Sequence, residues 1–196
     1  MDPIDYYERY AGVYYDNTVD LEMNEVLDKF LVLLPENAEV LDLGCGSGRD
    51  SLYLEEQGCY VTLLDGSKEM CKLAEIHTDK EVLHMDYAEM NFEKVFDGIW
   101  ACASLLHLSD KEIDGIMEKT LQALKPNGIL YMSFKYGEAM EIRSGRLYHD
   151  YTEETAIALI ERCELAELLE VWVSADNRGR EQQWLNILVK AKEENE

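Results

Sequence analysis

Three glycines alternate within VLDLGCGSGRDS, Val40 to Ser51, where Gly44, Gly46 and Gly48 follow an apolar run and precede a helical stretch. Glycines at such a junction take positive φ and let a ligand approach the main chain closely, while the next helix offers unpaired amide donors at its N-terminus. The chemistry this favours is binding of a nucleotide-like cofactor. The dinucleotide fingerprint G-x-G-x-x-G/A, begun at Gly44 and Gly46, would need a small residue where this chain has Arg49, so the spacing is G-x-G-x-G. Acids stand at the ends of the neighbouring apolar runs, Asp42, Asp65 and Asp86, and reinforce the cofactor reading. Each feature also has a plainer alternative: a packing turn for the glycines, a Gly66-Ser67 turn shaped by Asp65, and a short turn capped by Asp86.

The elements that position these residues follow from periodicity. Asp20 stands where it would cap a helix carrying Met23, Val26, Leu27, Phe30, Leu31 and Leu34, which Pro35 stops. Val40 to Leu43, the glycine turn, a helical stretch to Gly58 and Tyr60 to Leu64 read as strand, turn, helix, strand. Ser67 opens another helix, Val82 to Met85 forms a short strand, and Val95 to Cys102 reads as a strand buried on both faces. Ser109 with Glu112 makes a capping box for a helix to Leu124, and Pro126-Asn127-Gly128 turns into Ile129 to Phe134. Five strands alternating with helices call for a parallel sheet covered on both faces. The tail breaks the rhythm. After a helix from Thr152 to about Cys163, Leu165 to Val173 and Trp184 to Val189 are joined by a loop too short for a helical crossover, and should pair as an antiparallel hairpin.

A chain of 196 residues fits one domain, since a core of this size buries about 70% of the surface the unfolded chain exposes. No apolar run approaches the ~20 residues of a spanning helix. The opening MDPIDYYERY carries acids and no apolar segment, unlike a secretory or transit leader, so a cytoplasmic location is the default expectation. Forty-one acids against eighteen Lys and Arg give a net charge of -23, which repels a phosphate backbone and disfavours nucleic acid as a partner. The basic residues are scattered; the nearest approach to a cluster is Arg143, Arg146, Arg178 and Arg180, which could converge near one loop edge. The cysteines Cys45, Cys59, Cys71, Cys102 and Cys163 are odd in number and form no C-x-x-C pair, so they read as reduced thiols and not as metal ligands.

The glycine loop, the strand-end acids and the continuation GRDSLYLEEQGCYVTLLD resemble the class I S-adenosylmethionine-dependent methyltransferases, particularly the small type 11/12 and tellurite-resistance-like groups. The resemblance spans nearly the whole chain and implies a Rossmann-like, doubly wound α/β fold with a mostly parallel seven-stranded sheet and a C-terminal antiparallel hairpin. It implies S-adenosyl-L-methionine as cofactor and S-adenosyl-L-homocysteine as product. By the same resemblance Asp42 holds the cofactor's amino group, and the loop Gly44, Cys45, Gly46 and Gly48 packs against its methionine and ribose portions. Asp65, beside Gly66, matches the ribose-binding acid, a carboxylate being able to accept from two adjacent hydroxyls. Asp86 matches the acid that receives the adenine amino group, with the backbone of Tyr87 or Ala88 reading the ring. Arg49 matches a residue near the cofactor carboxylate, or is a plain surface arginine.

The Tyr-rich leader, Tyr6, Tyr7, Tyr10, Tyr14 and Tyr15, matches a lid in similar enzymes, and Tyr14 or Tyr15 is the candidate to face the sulfonium; packing of the first helix is the alternative. His107, in the region that borders the acceptor, is the candidate proton acceptor, or else a packing histidine before Ser109. A flap around Ser144-Gly145 brings Tyr136, Arg143, Arg146 and His149 as candidate acceptor contacts. The layout expected is one domain over 1–196: lid and helix 1–37, cofactor core 38–135, flap 136–151, and helix with hairpin 152–196. The expected function is in-line methyl transfer to a small acceptor, neutral or cationic by the overall charge, with RNA or protein methylation and a non-catalytic binder as alternatives. No membrane contact is expected, and the oligomeric state is not readable.

Overall fold

The structure is a computed structural model that describes residues 3–192. Its centre is a seven-stranded sheet. The first five strands are β1 (Glu39–Leu43), β2 (Tyr60–Asp65), β3 (Val82–His84), β4 (Phe96–Ala101) and β5 (Leu124–Lys135). They run parallel in the order β3-β2-β1-β4-β5. A hairpin, β6 (Met140–Arg143) with β7 (Arg146–His149), forms a separate two-stranded sheet. The chain then returns through β8 (Ala166–Ala175) and β9 (Gln183–Ala191), and β9 inserts antiparallel between β5 and β8.

Alternation along each strand explains why both faces are covered. Val40, Trp100, Ile129 and Tyr131 face one way, into a core shared with Leu27 and Phe30 of α2 (Asn24–Leu31) and Leu54 of α3 (Arg49–Glu56). Leu41, Ile99, Ala101, Leu130 and Met132 face the other, against α5 (Ile113–Ala123) and α6 (Glu153–Glu161). A strand buried on both faces has no polar side to spare, hence its continuous apolar run. α4 (Lys68–Thr78) packs Cys71 and Ala74 on Leu63 and Val82, and α1 (Pro3–Asp16) lies across α4. Among the described residues, no helix is long and apolar enough to cross a membrane.

Several boundaries differ from the periodicity. Asp20 does not cap α2: residues 18–21 are held in turns by Val19 N to Tyr15 O and Leu21 N to Thr18 O, and Met23 takes the cap position without a side-chain bond. Past Leu31, Val32 N still reaches Asp28 O, but Leu33 and Leu34 leave the α-helix in i→i+3 turns. Ser109 does bond Glu112 Oε2, through N at 2.9 Å and Oγ at 2.6 Å, but the pair closes a turn and α5 starts only at Ile113. Pro126 to Gly128 form a bulge inside β5, where its register with β4 shifts. Ser144 and Gly145 both have positive φ, 50° and 81°, which gives the two-residue turn whose twist suits a hairpin.

Candidate active site

The glycine loop hangs from the end of β2: Gly44 N and Cys45 N both donate to Leu64 O, at 2.8 and 3.0 Å. Gly44, Gly46 and Gly48 have φ of 76°, 56° and 76°, a region that costs an L-residue about 1–2 kcal/mol. Gly48 has a second reason. A Cβ there would lie 2.5 Å from Thr78 Cγ2, so its bareness lets the start of α3 close on the end of α4. Gly48→Ala is therefore expected to cost about 2–4 kcal/mol, combining torsional strain with overpacking. A melting curve would show a fall of roughly 5–15 °C; an unchanged midpoint would refute the packing argument.

Behind the loop is a buried acid pair. Asp42 Oδ2 accepts from Ser51 Oγ at 2.6 Å, while Oδ1 has no partner among the described residues. Asp50 is held by Arg49 Nε at 2.6 Å and Nη2 at 3.0 Å and by Trp100 Nε1 at 2.8 Å. Arg49 Nη1 also donates to Thr18 O at 3.0 Å, which ties the loop to the segment after α1. Burial, then the Asp50 charge, push the Asp42 carboxyl well above the usual range. Asp65, at the tip of β2, accepts from Gly46 N through Oδ2 at 3.0 Å and from Ser67 N through Oδ1 at 2.8 Å. Burial raises it to about 6 despite these two amides.

α1 closes the front. The helix kinks at Tyr10, the Tyr7 and Tyr14 rings meet edge to face 5.0 Å apart, and Tyr14 packs against Gly46. Tyr7 Oη lies 3.0 Å from His107 Nε2 and receives Arg146 Nη1 at 3.0 Å. His107 Nδ1 is 2.6 Å from Leu147 O; a carbonyl only accepts, so Nδ1 carries the proton and Nε2 accepts from Tyr7. Burial lowers the imidazole to about 4, so it is neutral at pH 7.

Between loop and lid lies a cavity of about 1000 Å³. Its wall brings together Asp42, Gly44, Cys45, Gly46, Arg49, Tyr14 and His107, and on the flap side Arg143 and Arg146. It does not include Gly48, Asp65, Gly66, Asp86, Tyr87 or Tyr15. Asp86 is exposed and caps the short 3-10 turn Tyr87–Glu89, accepting from Ala88 N at 2.7 Å. The Tyr87 hydroxyl fills the space a Gly44 side chain would need. Tyr15, about 100° round the helix from Tyr14, turns to His77 Nδ1 at 3.1 Å. His149 and Tyr136 also lie outside the wall, and His149 instead meets Tyr151 Oη at 3.1 Å. Strand alternation explains this, since Arg146 and Tyr148 share one face of β7 and Leu147 and His149 the other. Sequence reasoning gave no particular role to Tyr7, Asp50, Lys135 or Trp100; for Tyr7 its seven-residue spacing to Tyr14 was a signal, and the two rings do meet across the kink at Tyr10.

A strand order of 3-2-1-4-5 with an inserted antiparallel strand, and a cleft over a glycine loop at the strand tips, define a Rossmann-like cofactor-binding domain. The family profile described as "Methyltransferase domain" matches residues 40–128. "Putative methyltransferase YqeM" of Bacillus subtilis (strain 168) is 31% identical over 143 residues, 67% of this chain and 58% of that protein. The "Ubiquinone biosynthesis O-methyltransferase" of Xylella fastidiosa (strain 9a5c) is 34% identical over 103 residues, 49% of this chain and 41% of that protein. The chain thus spans about half the length of these curated relatives. Among solved structures, the 1,6-didemethyltoxoflavin-N1-methyltransferase of Burkholderia thailandensis, with 1,6-didemethyltoxoflavin and S-adenosylhomocysteine bound, superposes with a TM-score of 0.82 at 21% identity over 97% of this chain and 87% of that one. The chain belongs to the class I S-adenosylmethionine-dependent methyltransferases. These matches support the class and do not single out the tellurite-resistance-like group.

The residues present fit the family's cofactor. Asp42 lines the cavity with one carboxylate oxygen free of protein hydrogen bonds and suited to an ammonium, Gly46 leaves its side of the cavity bare, and the Tyr14 ring stands against that glycine.

Proposed function

We propose that the protein transfers a methyl group from S-adenosylmethionine to a small-molecule acceptor by in-line displacement, in the cytoplasm. The observation that carries this reading is one continuous cavity of about 1000 Å³ whose walls are the glycine loop with Asp42 on one side and Tyr7, His107 and the flap on the other. That volume is at the upper end of the ~300–1,000 Å³ of small-molecule pockets and suits a cofactor and an acceptor side by side. The bound sulfonium supplies an activated methyl: an acceptor lone pair forms the new bond to carbon while the carbon–sulfur pair leaves with sulfur.

Given that donor, the protein's work is alignment and exclusion of water, and proximity supplies about 7–11 kcal/mol. Asp42 accepts from the cofactor's amino group, and the bare loop lies along its methionine and ribose portions. Tyr14 presents an aromatic face to the cation, worth about 0.5–2 kcal/mol. Asp65 accepts from the ribose hydroxyls after yielding one of its amide contacts. Arg49 is committed to Asp50 and Thr18, so it acts on the cofactor by holding Asp50 and the loop. His107, neutral and oriented by Leu147, accepts from Tyr7 through Nε2, so a proton leaving the acceptor passes to the Tyr7 hydroxyl as that hydroxyl gives its own to His107.

Calorimetry tests the cofactor half of this reading. Both S-adenosylmethionine and S-adenosylhomocysteine should bind saturably, and affinity should fall as pH drops below about 6, where Asp65 protonates and Asp42 is already losing charge. Binding that is flat from pH 8 to pH 5 would remove both acids from the site. Labelled methyl transfer into a cell extract tests the other half: label in small metabolites is the expected result, whereas label confined to RNA or protein would refute the small-acceptor assignment.

A further inference from the structure

The overall charge of -23 does not describe the acceptor end of the cavity. Three cations surround one ring there: relative to the Tyr148 centroid, Lys135 Nζ is at 3.9 Å, Arg143 Cζ at 4.6 Å and Arg146 Cζ at 5.2 Å. All three line the cavity, as do Arg178 and Arg180. The carboxylates facing them are few. Asp150 pairs with Arg143, Asp176 pairs with Arg178 at 2.9 Å, and the exposed Glu141 stands 3.6 Å from Arg143 Nε. Lys135 has neither an ion pair nor a side-chain hydrogen bond among the described residues, only the Tyr148 face. Arg146 gives Nη1 to Tyr7, stacks 3.8 Å from the Tyr6 centroid, and keeps Nε buried without a partner.

Partly buried like charges in contact with one ring are costly, and aromatic faces alone return only about 0.5–2 kcal/mol each. Burial and the neighbouring arginines already push the Lys135 ammonium below its ordinary value. An oxyanion placed among these groups would meet three unused donors on Lys135 and the Arg146 Nη2 group, which has no hydrogen bond among the described residues, and would cancel the repulsion. A surface patch for a nucleic-acid backbone would be exposed and linear; this cluster is enclosed between α1 and the hairpin.

We propose that the acceptor is a small anion whose carboxylate or phosphate group is held by Lys135 and Arg146. That this ligand is the acceptor rests on the methyl-transfer reading; that it is an anion rests on the cation cluster. It replaces the neutral or cationic acceptor that the net charge alone favours. Lys135 and Arg146 would thereby select the acceptor, and the hydrogen bond from Arg146 through Tyr7 to His107 would link the seated anion to the group that takes the proton.

The test is calorimetry on the full chain loaded with S-adenosylhomocysteine, titrated with benzoate, phenyl phosphate and the uncharged benzamide. At least one of the two oxyanions should bind about tenfold or more tighter than benzamide, with the better one identifying carboxylate or phosphate as the group selected. Lys135→Met should reduce that preference by about tenfold, and Arg146→Lys, which keeps the charge but not the fork, should reduce it less. Melting curves of both variants report whether the fold is retained. Equal binding of benzamide, no saturable binding of either oxyanion, or a preference untouched in folded Lys135→Met would each overturn the proposal. The product titration separates the two readings: absence of heat with S-adenosylhomocysteine refutes methyl transfer, while the oxyanion comparison, repeated on the ligand-free protein, stands or falls by itself.

Discussion

Arg49→Met is expected to be the most destabilising single change at the site, costing about 3–5 kcal/mol, because it leaves the buried Asp50 carboxylate without its cation. Asp50 is only 8% exposed, and its remaining partner would be the Trp100 indole at 2.8 Å. Asp42, close enough for its own carboxyl to be raised by the Asp50 charge, would then face an acid that nothing offsets. The bond from Arg49 to Thr18 O disappears as well, so the segment joining α1 to α2 loses its tie to the loop. In a chain of this length the loss corresponds to a fall in melting midpoint of roughly 6–15 °C. Asp50→Asn in the same chain should restore much of it, since the uncompensated charge is then gone. A single variant that melts within a degree or two of the parent would show that the pair contributes little.

Asp42→Asn should move two measurements in opposite directions. Affinity for S-adenosylmethionine should fall about 10- to 100-fold, the scale of a hydrogen bond to a charged group. Ligand-free stability at neutral pH should rise. An aspartate whose folded pKa lies above its unfolded value binds more protons folded than unfolded, so stability declines as pH rises from about 4 through the folded pKa. Asp42 is raised by burial and by Asp50, and Asp65 reaches about 6, so the ligand-free protein should be more stable near pH 4.5 than at pH 7.5 as far as these two groups decide it. The amide in place of the Asp42 carboxyl removes the larger part of that penalty and flattens the profile. If the variant binds normally, or melts lower with no flattening, Asp42 is a structural acid and not a cofactor ligand.

Much of the fold was legible in the residues because its causes are local. Strands buried on both faces leave apolar runs, a hairpin announces itself by a loop too short to cross over, and Ser144-Gly145 supplies two left-handed residues in a row. Boundaries were less legible where a local signal had two outlets. Ser109 and Glu112 do bond each other, yet tertiary packing of Ile113 and Ile116 decided where the regular helix begins. Asp20 had the right type for a cap, but the turns after Thr18 placed Met23 there instead. Asp86 shows the same limit from the other side, since an acid after a strand reads alike whether it meets a ligand or caps a turn, and here it caps one.

The sequence by itself determined the class of protein and the glycine bend between the first strand and its helix, because positive φ at Gly44, Gly46 and Gly48 is a requirement of contiguous backbone. Only the tertiary structure decided which tyrosines of the lid face inward, that Arg49 is taken up by Asp50, and that Lys135, Arg143 and Arg146 meet around Tyr148. Net charge sums a whole surface, whereas the potential in a cavity depends on the few groups that folding carries to its wall. Those groups come from segments far apart in the chain, and no spacing rule records their meeting.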